Sequence, residues 1–440
     1  MDITLLTTLS LIGLTILIVF GIPIGVALGT VSLVGIYVLF QSWDIAFAMA
    51  GSVAFSMLRD YVFATIPLFV IMGNFITTSG AAQDVFTLMN RMLRRVPARL
   101  AVATVFGNAM FAAISGVSVA AAATFSRVAY PQMRRYGYDR PLALGVIAGS
   151  GMLGMLIPPS ILLIFWGILT EISIGKLFVA GVLPGLLVAS LFVLYLVVTA
   201  FINPEKTPYT VQTEAGTSPV SEEINRSVLL SGLGIIVLIA LVLGGIWGGF
   251  ATPTEAAGIG AVGALCLALL KGVRLRQLSG SIISSGLTIA PIMFLLLMAG
   301  LYSRFLVSSG ALMVMTDWIT GAGFGPISLI FAMTIVWLLM GMMLDSTSII
   351  LLTVPIFAPI AHGFGYDPLV FAIYGILVIE AGLLTPPFGL LVFVVKGSVP
   401  EEVSIGEVFR GATPYWLLIV LAGLIILTFP NIVTFLPNRM

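Results

Sequence analysis

The feature that most constrains this chain is a duplication: shifted by about 230 positions, its second half falls on its first. Pro23 meets Pro253, and Phe75–Gly80 (Phe-Ile-Thr-Thr-Ser-Gly) meets Phe305–Gly310 (Phe-Leu-Val-Ser-Ser-Gly). Ser115 meets Asp345, and Ser118 meets Ser348. After a two-residue slip, Gly137-Tyr138-Asp139 meets Gly365-Tyr366-Asp367, and Pro158-Pro159 meets Pro386-Pro387. Phe178 and Pro184 then correspond to Phe409 and Pro414. One such match among apolar residues is chance, but an ordered series is the signature of a repeat.

The repeated unit belongs in a membrane. Hydrophobic residues make up 60% of the 440 and charged residues 8%, against about 25% charged in soluble domains. A net charge of +1 argues against a nucleic-acid partner. Cys266 has no second cysteine to pair with, and His362 is too solitary for a histidine metal site or proton relay. The N-terminus opens apolar without a basic stretch, so it reads as a first span and not a signal peptide. A crossing helix needs about 20 apolar residues, and proline interrupts helix interiors. These rules predict spans at 3–20, 23–40, 62–79 and 177–202 in the first copy, with 45–60 along the surface. Residues 100–130 read as a hairpin and 141–171 as a broken helix. The second copy (227–440) supplies 228–250, 253–270, 284–302, a hairpin at 325–360, a broken helix at 368–396 and a last span at 411–436. Between the copies (1–202 and 227–440), the polar segment 203–226 reads as a cytoplasmic linker.

Charge decides the relative orientation of the copies. Cytoplasmic loops carry excess Lys and Arg. The basic connection Arg91–Arg99 matches the uncharged Thr320–Gly325, and Arg134–Arg140 matches His362–Asp367, which has no Lys or Arg. Conversely Gln41–Asp44 is acidic where its counterpart holds Lys271, Arg274 and Arg276. With the hairpin as re-entrant, the first copy crosses an odd number of times, which inverts the second. The expected N-terminus is periplasmic. The segments after each Pro-Pro break carry mixed signs, Lys176 in one and Glu401–Glu407 in the other.

Inverted repeats with broken helices are the build of secondary transporters, whose sites lie at midplane. Irregular backbone at that depth survives only if packed in protein or lining a water cavity. Carbonyls, hydroxyls and a carboxylate are hard donors suited to Na⁺, while half-helix N-termini favour an anion. An all-α polytopic carrier coupling Na⁺ to an anionic solute follows, with no cofactor beyond the coupling ion. The first ion site is expected at Ser115, Gly116 and Ser118 with Gly149, Gly151 and Pro158. The second is expected at Asp345, Ser346, Thr347 and Ser348 with Gly382, Thr385 and Pro386, and is the tighter because it carries a formal charge. Solute contacts are expected from Ser118, Pro159, Ser160, Thr347, Pro387 and Arg127.

Plainer roles stand beside these. Hydroxyls in spanning helices bond back to the preceding turn or join helices. Asp345 also suits a helix cap, a role compatible with ion binding. Arg127 also suits snorkelling to an interface, and the Pro-Pro pairs suit simple kinks. Thr252-Pro253-Thr254-Glu255 reads as a capping box. Glu380 fits either hinge support or ion or proton coupling.

At these motifs the chain resembles the large membrane subunit of tripartite ATP-independent periplasmic (TRAP) transporters. The resemblance covers nearly the whole length. It rests on Ile114-Ser115-Gly116-Val117-Ser118 and the alanine run that follows, Met133–Asp139, Leu156–Ser160 and Ile174–Phe178 in the first copy. In the second it rests on Thr252–Ala257, Leu351–Ile356 and Gly382–Pro387. It implies a Na⁺-driven elevator carrier of a bacterial inner membrane that imports organic acids such as C4-dicarboxylates, sialic acid or sugar acids. It also implies two partners outside this chain, a small four-helix membrane subunit and a periplasmic solute-binding protein. The competing reading is a stand-alone divalent-anion/Na⁺ symporter of the related superfamily. An intramembrane aspartyl protease is disfavoured, because that chemistry needs two facing aspartates and Asp139 and Asp367 lie in turns. A passive channel is disfavoured because duplicated broken helices suit alternating access.

Overall fold

A computed structural model describes residues 3–208 and 226–440. Most of the expected linker, 209–225, lies outside the described residues. Within them the chain is helical, with no strand. The first half runs α1 (Ile3–Val19), α2 (Ile24–Phe40), α3 (Trp43–Arg59), α4 (Thr65–Thr78) and α5 (Ala81–Met92). It continues through α6 (Arg99–Ser115), α7 (Ser118–Arg135), α8 (Arg140–Gly151), α9 (Leu153–Leu156), α10 (Ile161–Thr170) and α11 (Ile174–Ile202). The second half runs α12 (Arg226–Trp247), α13 (Pro253–Leu270), α14 (Leu275–Ser309), α15 (Ala311–Gly321), α16 (Pro326–Gly341) and α17 (Ser346–Gly363). It ends with α18 (Pro368–Gly382), α19 (Leu390–Ser398), α20 (Ile405–Thr428) and α21 (Asn431–Thr434). The order of elements recurs between the halves at the offset read from the sequence. Outer faces of α1, α12 and α14 expose rows of large apolar residues, among them Leu5, Leu9, Ile12, Leu229, Leu233, Ile282 and Leu287. Such continuous apolar surface suits lipid contact, and the chain is a multi-pass membrane protein.

Several boundaries differ from the sequence reading. The connection before the first hairpin contains a helix, α5, because Ala81, Ala82, Val85 and Phe86 form a buried stripe. Its counterpart α15 meets α16 at a bend of 118°. The span expected at 284–302 is part of α14, a continuous helix of 35 residues with Pro291 inside it. Its counterpart has no proline at the equivalent place, yet breaks between α3 and α4. There the Asp60 carboxylate accepts from Val62 N–H at 2.9 Å and starts a short 3₁₀ turn, Tyr61–Ala64. A side-chain cap, not proline, therefore ends the helix. The last span begins earlier than expected, because Ser404 and Glu407 form a capping box at the start of α20.

The halves interlock reciprocally. Helix α4 packs on α13 while its counterpart pairing, α14 on α2, forms alongside. Likewise α8 packs on α20 and α18 on α11, and the hairpin arms α7 and α17 are gripped by α19 and α10 of the opposite half. The closest crossing is glycine on backbone: a Cβ on Gly411 would collide with the Pro141 carbonyl. The packing resolves into two units, one of α1–α5 with α12–α15, the other of the hairpins, broken helices, α11 and α20. They meet mainly through α4 and α5 on α6 and through α14 on α17.

Loops of like charge gather at one end. Lys271 pairs with Asp84 near the start of α5, the helix leading to Arg91–Arg99. The Tyr138 hydroxyl accepts from Leu100 N–H at 3.4 Å, and Asp139 N–H donates to the Lys206 carbonyl at 3.0 Å. Glu401 lies 3.1 Å from Arg140 and 3.4 Å from Arg134, and accepts from the Tyr130 hydroxyl. Glu401 and Glu407 thus sit at the arginine-rich end as partners of those arginines, which explains the mixed signs after the second Pro-Pro break.

Candidate functional site: two hairpin tips on two broken helices

Each hairpin turns inside the protein. In the first, Gly116 ends α6 with φ +63°, a conformation that favours glycine. Val117 is extended and lends α7 no side-chain cap, so the α7 N-terminus points inward bare. Ser115 and Ser118 are buried, and neither hydroxyl has a hydrogen-bond partner. In the second hairpin, Asp345 caps α17. Its Oδ2 accepts from Ser348 N–H at 3.1 Å and its Oδ1 from the Ser348 hydroxyl at 2.5 Å. The carboxylate is exposed, whereas Ser346 and Ser348 are buried and Thr347 is half-buried.

The first tip rests on the first broken helix. A Cβ at Gly116 would lie 3.2 Å from the Pro159 carbonyl, and one at Gly151 would lie 3.4 Å from the Ser118 carbonyl. Pro158, Pro159 and Ser160 are buried. Ser160 starts α10, accepting from Leu163 N–H at 3.4 Å while donating to the Met155 carbonyl at 2.5 Å. Both Pro-Pro bonds are cis. Gly149 is placed differently from its expected companions: its missing side chain makes room for the Tyr415 ring of α20.

The second tip rests on the second broken helix. A Cβ at Gly341 would meet Gly382 Cα at 2.6 Å, so the two backbones touch. Gly389 N–H donates to the Met342 carbonyl at 3.3 Å across the break. Thr385 is buried and donates to the Gly382 carbonyl at 2.7 Å, while Pro386 and Pro387 are exposed. Arg127 is an exposed residue midway along α7.

One residue that the sequence left open between two roles lies against the hairpin tips. Glu380 of α18 is fully buried (0% exposed), and its Oε1 accepts from the Ser346 hydroxyl at 2.5 Å. The Ser118 hydroxyl stands beside the same carboxylate, but outside hydrogen-bonding geometry. A lone carboxylate in the apolar run Val370–Leu384 was the available sequence signal; what it touches depended on the packing.

Two cavities lie where the units meet, at the end away from the basic loops. One of about 640 Å³ lies among Asp60, Val62, Glu171, Ser173 and Thr252. The other, about 350 Å³, lies among Thr170, Ser303, Pro355, His362 and Tyr366.

Comparison with known proteins identifies the family and the fold. A family described as "Tripartite ATP-independent periplasmic transporter, DctM component" matches residues 11–432. The chain is 34% identical to the C4-dicarboxylate TRAP transporter large permease protein DctM of Pseudomonas aeruginosa, over 87% of this chain and 88% of that one. It is 29% identical to the ectoine TRAP transporter large permease protein TeaC of Halomonas elongata, over 98% of each. It is 25% identical to the sialic acid TRAP transporter permease protein SiaT of Haemophilus influenzae, over 98% of this chain and 68% of that one. In fold it is similar to the YdaH transporter of Alcanivorax borkumensis, with a TM-score of 0.60 at 15% identity, covering 86% of this chain and 89% of that one. Duplicated helices, paired hairpin tips and a whole-length family match lead to one conclusion: the chain belongs to the DctM family of TRAP transporter large permeases.

Proposed function

We propose that this permease imports an organic-acid anion across a bacterial inner membrane, driven by Na⁺. The solute is delivered by a periplasmic binding protein, and a small four-helix subunit completes the complex. The observation that carries the reading is the meeting of both hairpin tips with both broken helices inside one packed unit, joined to the rest by a limited interface. Such a unit can slide as a body past a fixed scaffold, the elevator form of alternating access. Uncapped hydroxyls at the first tip and the Asp345–Ser348 cluster at the second supply hard oxygen donors for two ions, Asp345 keeping lone pairs beyond its cap. The bare α7 N-terminus, with Ser118, Pro159 and Ser160 nearby, supplies the positive end of a helix dipole for a solute carboxylate. Thr347 and Pro387 contribute from the other side. Arg127 is assigned to the membrane interface, given its exposure. The arginine-rich end faces the cytoplasm, which puts the N-terminus and both cavities on the periplasmic side.

The deciding experiment is uptake into proteoliposomes carrying the permease and its small subunit, with binding protein outside. C4-dicarboxylates are the first solutes to test, because three relatives at 30–34% identity carry that solute in their names. Uptake is expected to need both the binding protein and an inward Na⁺ gradient. Full uptake in choline would overturn the Na⁺ coupling. Uptake by this chain alone would favour the stand-alone symporter.

A further inference from the structure

The best-buried carboxylate among the described residues has no cation beside it. Glu380 is closed off on all sides, and of its two oxygens only Oε1 has a hydrogen-bond partner, the Ser346 hydroxyl of the second hairpin tip. Oε2 has none. Beside the carboxylate lies Ser118 of the first tip, 1% exposed, whose own hydroxyl is also unpartnered. Among the described residues no Lys, Arg or His forms an ion pair with Glu380. A buried carboxylate without a counter-charge is strongly disfavoured, and buried polar atoms ordinarily find partners. Here a carboxylate oxygen and a serine oxygen from different elements are orphaned in the same place, with a second serine attached to the other carboxylate oxygen. Hydrogen bonding between these groups leaves the negative charge uncompensated; a proton or a bound cation can neutralise it, and the convergence of two hydroxyls from different elements on one carboxylate favours a cation. A carboxylate with two hydroxyls is a hard-oxygen set, the chemistry that suits an alkali or alkaline-earth ion over a transition metal.

We propose that Glu380, with Ser118 and Ser346, forms a cation site shared by the two hairpin tips, taking Na⁺. The site differs from the Asp345 cluster. Asp345 is exposed and bonded within its own loop, whereas Glu380 joins loops from opposite halves. An ion held there makes each tip's position depend on the other's, so occupancy sets both half-sites together. This inference rests on the Na⁺-coupled reading above.

The test measures ²²Na⁺ binding to the purified permease–small subunit complex in detergent, with choline as the balancing cation. Glu380→Gln is compared with wild type and with Glu255→Gln, which removes an equal charge from an exposed helix cap. Glu380→Gln is expected to lose one bound Na⁺ or to weaken binding at least tenfold, and Glu255→Gln to bind as wild type does. Glu380→Asp, which keeps the charge but draws it back from both serines, is expected to weaken binding several-fold. It decides the matter alone if Glu380→Gln does not elute as a monodisperse complex. Wild-type binding that persists unchanged in Glu380→Gln, or in Glu380→Asp where that variant alone is folded, would overturn the site and leave Na⁺ coupling standing. Absence of ²²Na⁺ binding in wild type would overturn both.

Discussion

The two Pro-Pro breaks began as copies of one sequence feature and ended in opposite environments. Pro158, Pro159 and Ser160 are enclosed, under a first tip whose serines are enclosed with them. Pro386, Pro387 and Phe388 are exposed, beside a second tip whose aspartate is exposed as well. Capping differs in the same sense. The first tip leaves the α7 N-terminus bare, while Asp345 occupies the N-terminus of α17. The lesson is that pseudo-symmetry here governs the path of the chain and not its surroundings. One tip and its break are closed by protein, while their twins are open.

The largest effect is expected where the second half is tightest despite its open break. Gly382→Ala would set a Cβ 2.8 Å from Gly341 Cα and 3.2 Å from the Leu338 carbonyl. Backbone cannot retreat as a side chain can, so a loss of about 3 kcal/mol is expected. Its counterpart is Gly154→Ala, whose Cβ would meet the Ala112 methyl at 2.7 Å but the Ala112 backbone only at 3.4 Å, and should cost about 1 kcal/mol. Thermal unfolding of the purified complex measures both; equal losses would break the contrast.

Next comes Asp345→Asn. Asparagine caps helices about as well as aspartate, so stability should change by less than about 0.5 kcal/mol while the half-saturating Na⁺ concentration for uptake rises about tenfold, equivalent to ~1.4 kcal/mol. An unaltered Na⁺ dependence would leave Asp345 a cap and nothing more. Ser160→Ala removes the α10 cap and a buried hydrogen bond, a loss of about 1–2 kcal/mol. The aligned Phe388→Ala, on an exposed side chain, should stay within about 0.5 kcal/mol. Glu401→Gln is likewise expected to have a small effect. Its partners are about a third exposed or more, and such pairs contribute between about 0 and 1 kcal/mol. The difference from wild type should shrink further in concentrated choline chloride, which screens charge without supplying Na⁺.

Much of the architecture was legible in sequence because the constraint was local. Ser115-Gly116-Val117-Ser118 interrupts an apolar run with a glycine that can turn the chain, and α6 ends there. Asp345 precedes three hydroxyl residues and begins α17 as a cap does. The illegible parts were those decided by tertiary contact. Pro291 suggests an interruption, yet α14 continues through it, while the break in the other copy comes from the short side chain of Asp60. Glu401 and Glu407 confused the charge pattern because their arginine partners lie more than 250 positions away in sequence. Gly149 lies in the same glycine cluster as Gly151, but helix rotation turns it toward Tyr415. Glu380 could be singled out as a lone carboxylate; that it reaches the tips of both hairpins could not.

Helix α14 has a consequence for the membrane itself. Its 35 residues, at about 1.5 Å each, extend roughly 52 Å, against a hydrocarbon layer of about 30 Å. Its ends must stand among the headgroups or its axis must lean, and exposed apolar residues such as Leu275, Ile283 and Leu287 favour leaning. A leaning helix responds to lipid chain length, because a thicker bilayer sets it more upright at a modest free-energy cost per ångström. Since α14 borders the second hairpin arm, bilayer thickness becomes a mechanical input, and transport should be tuned by the acyl chains around the protein as well as by its ions.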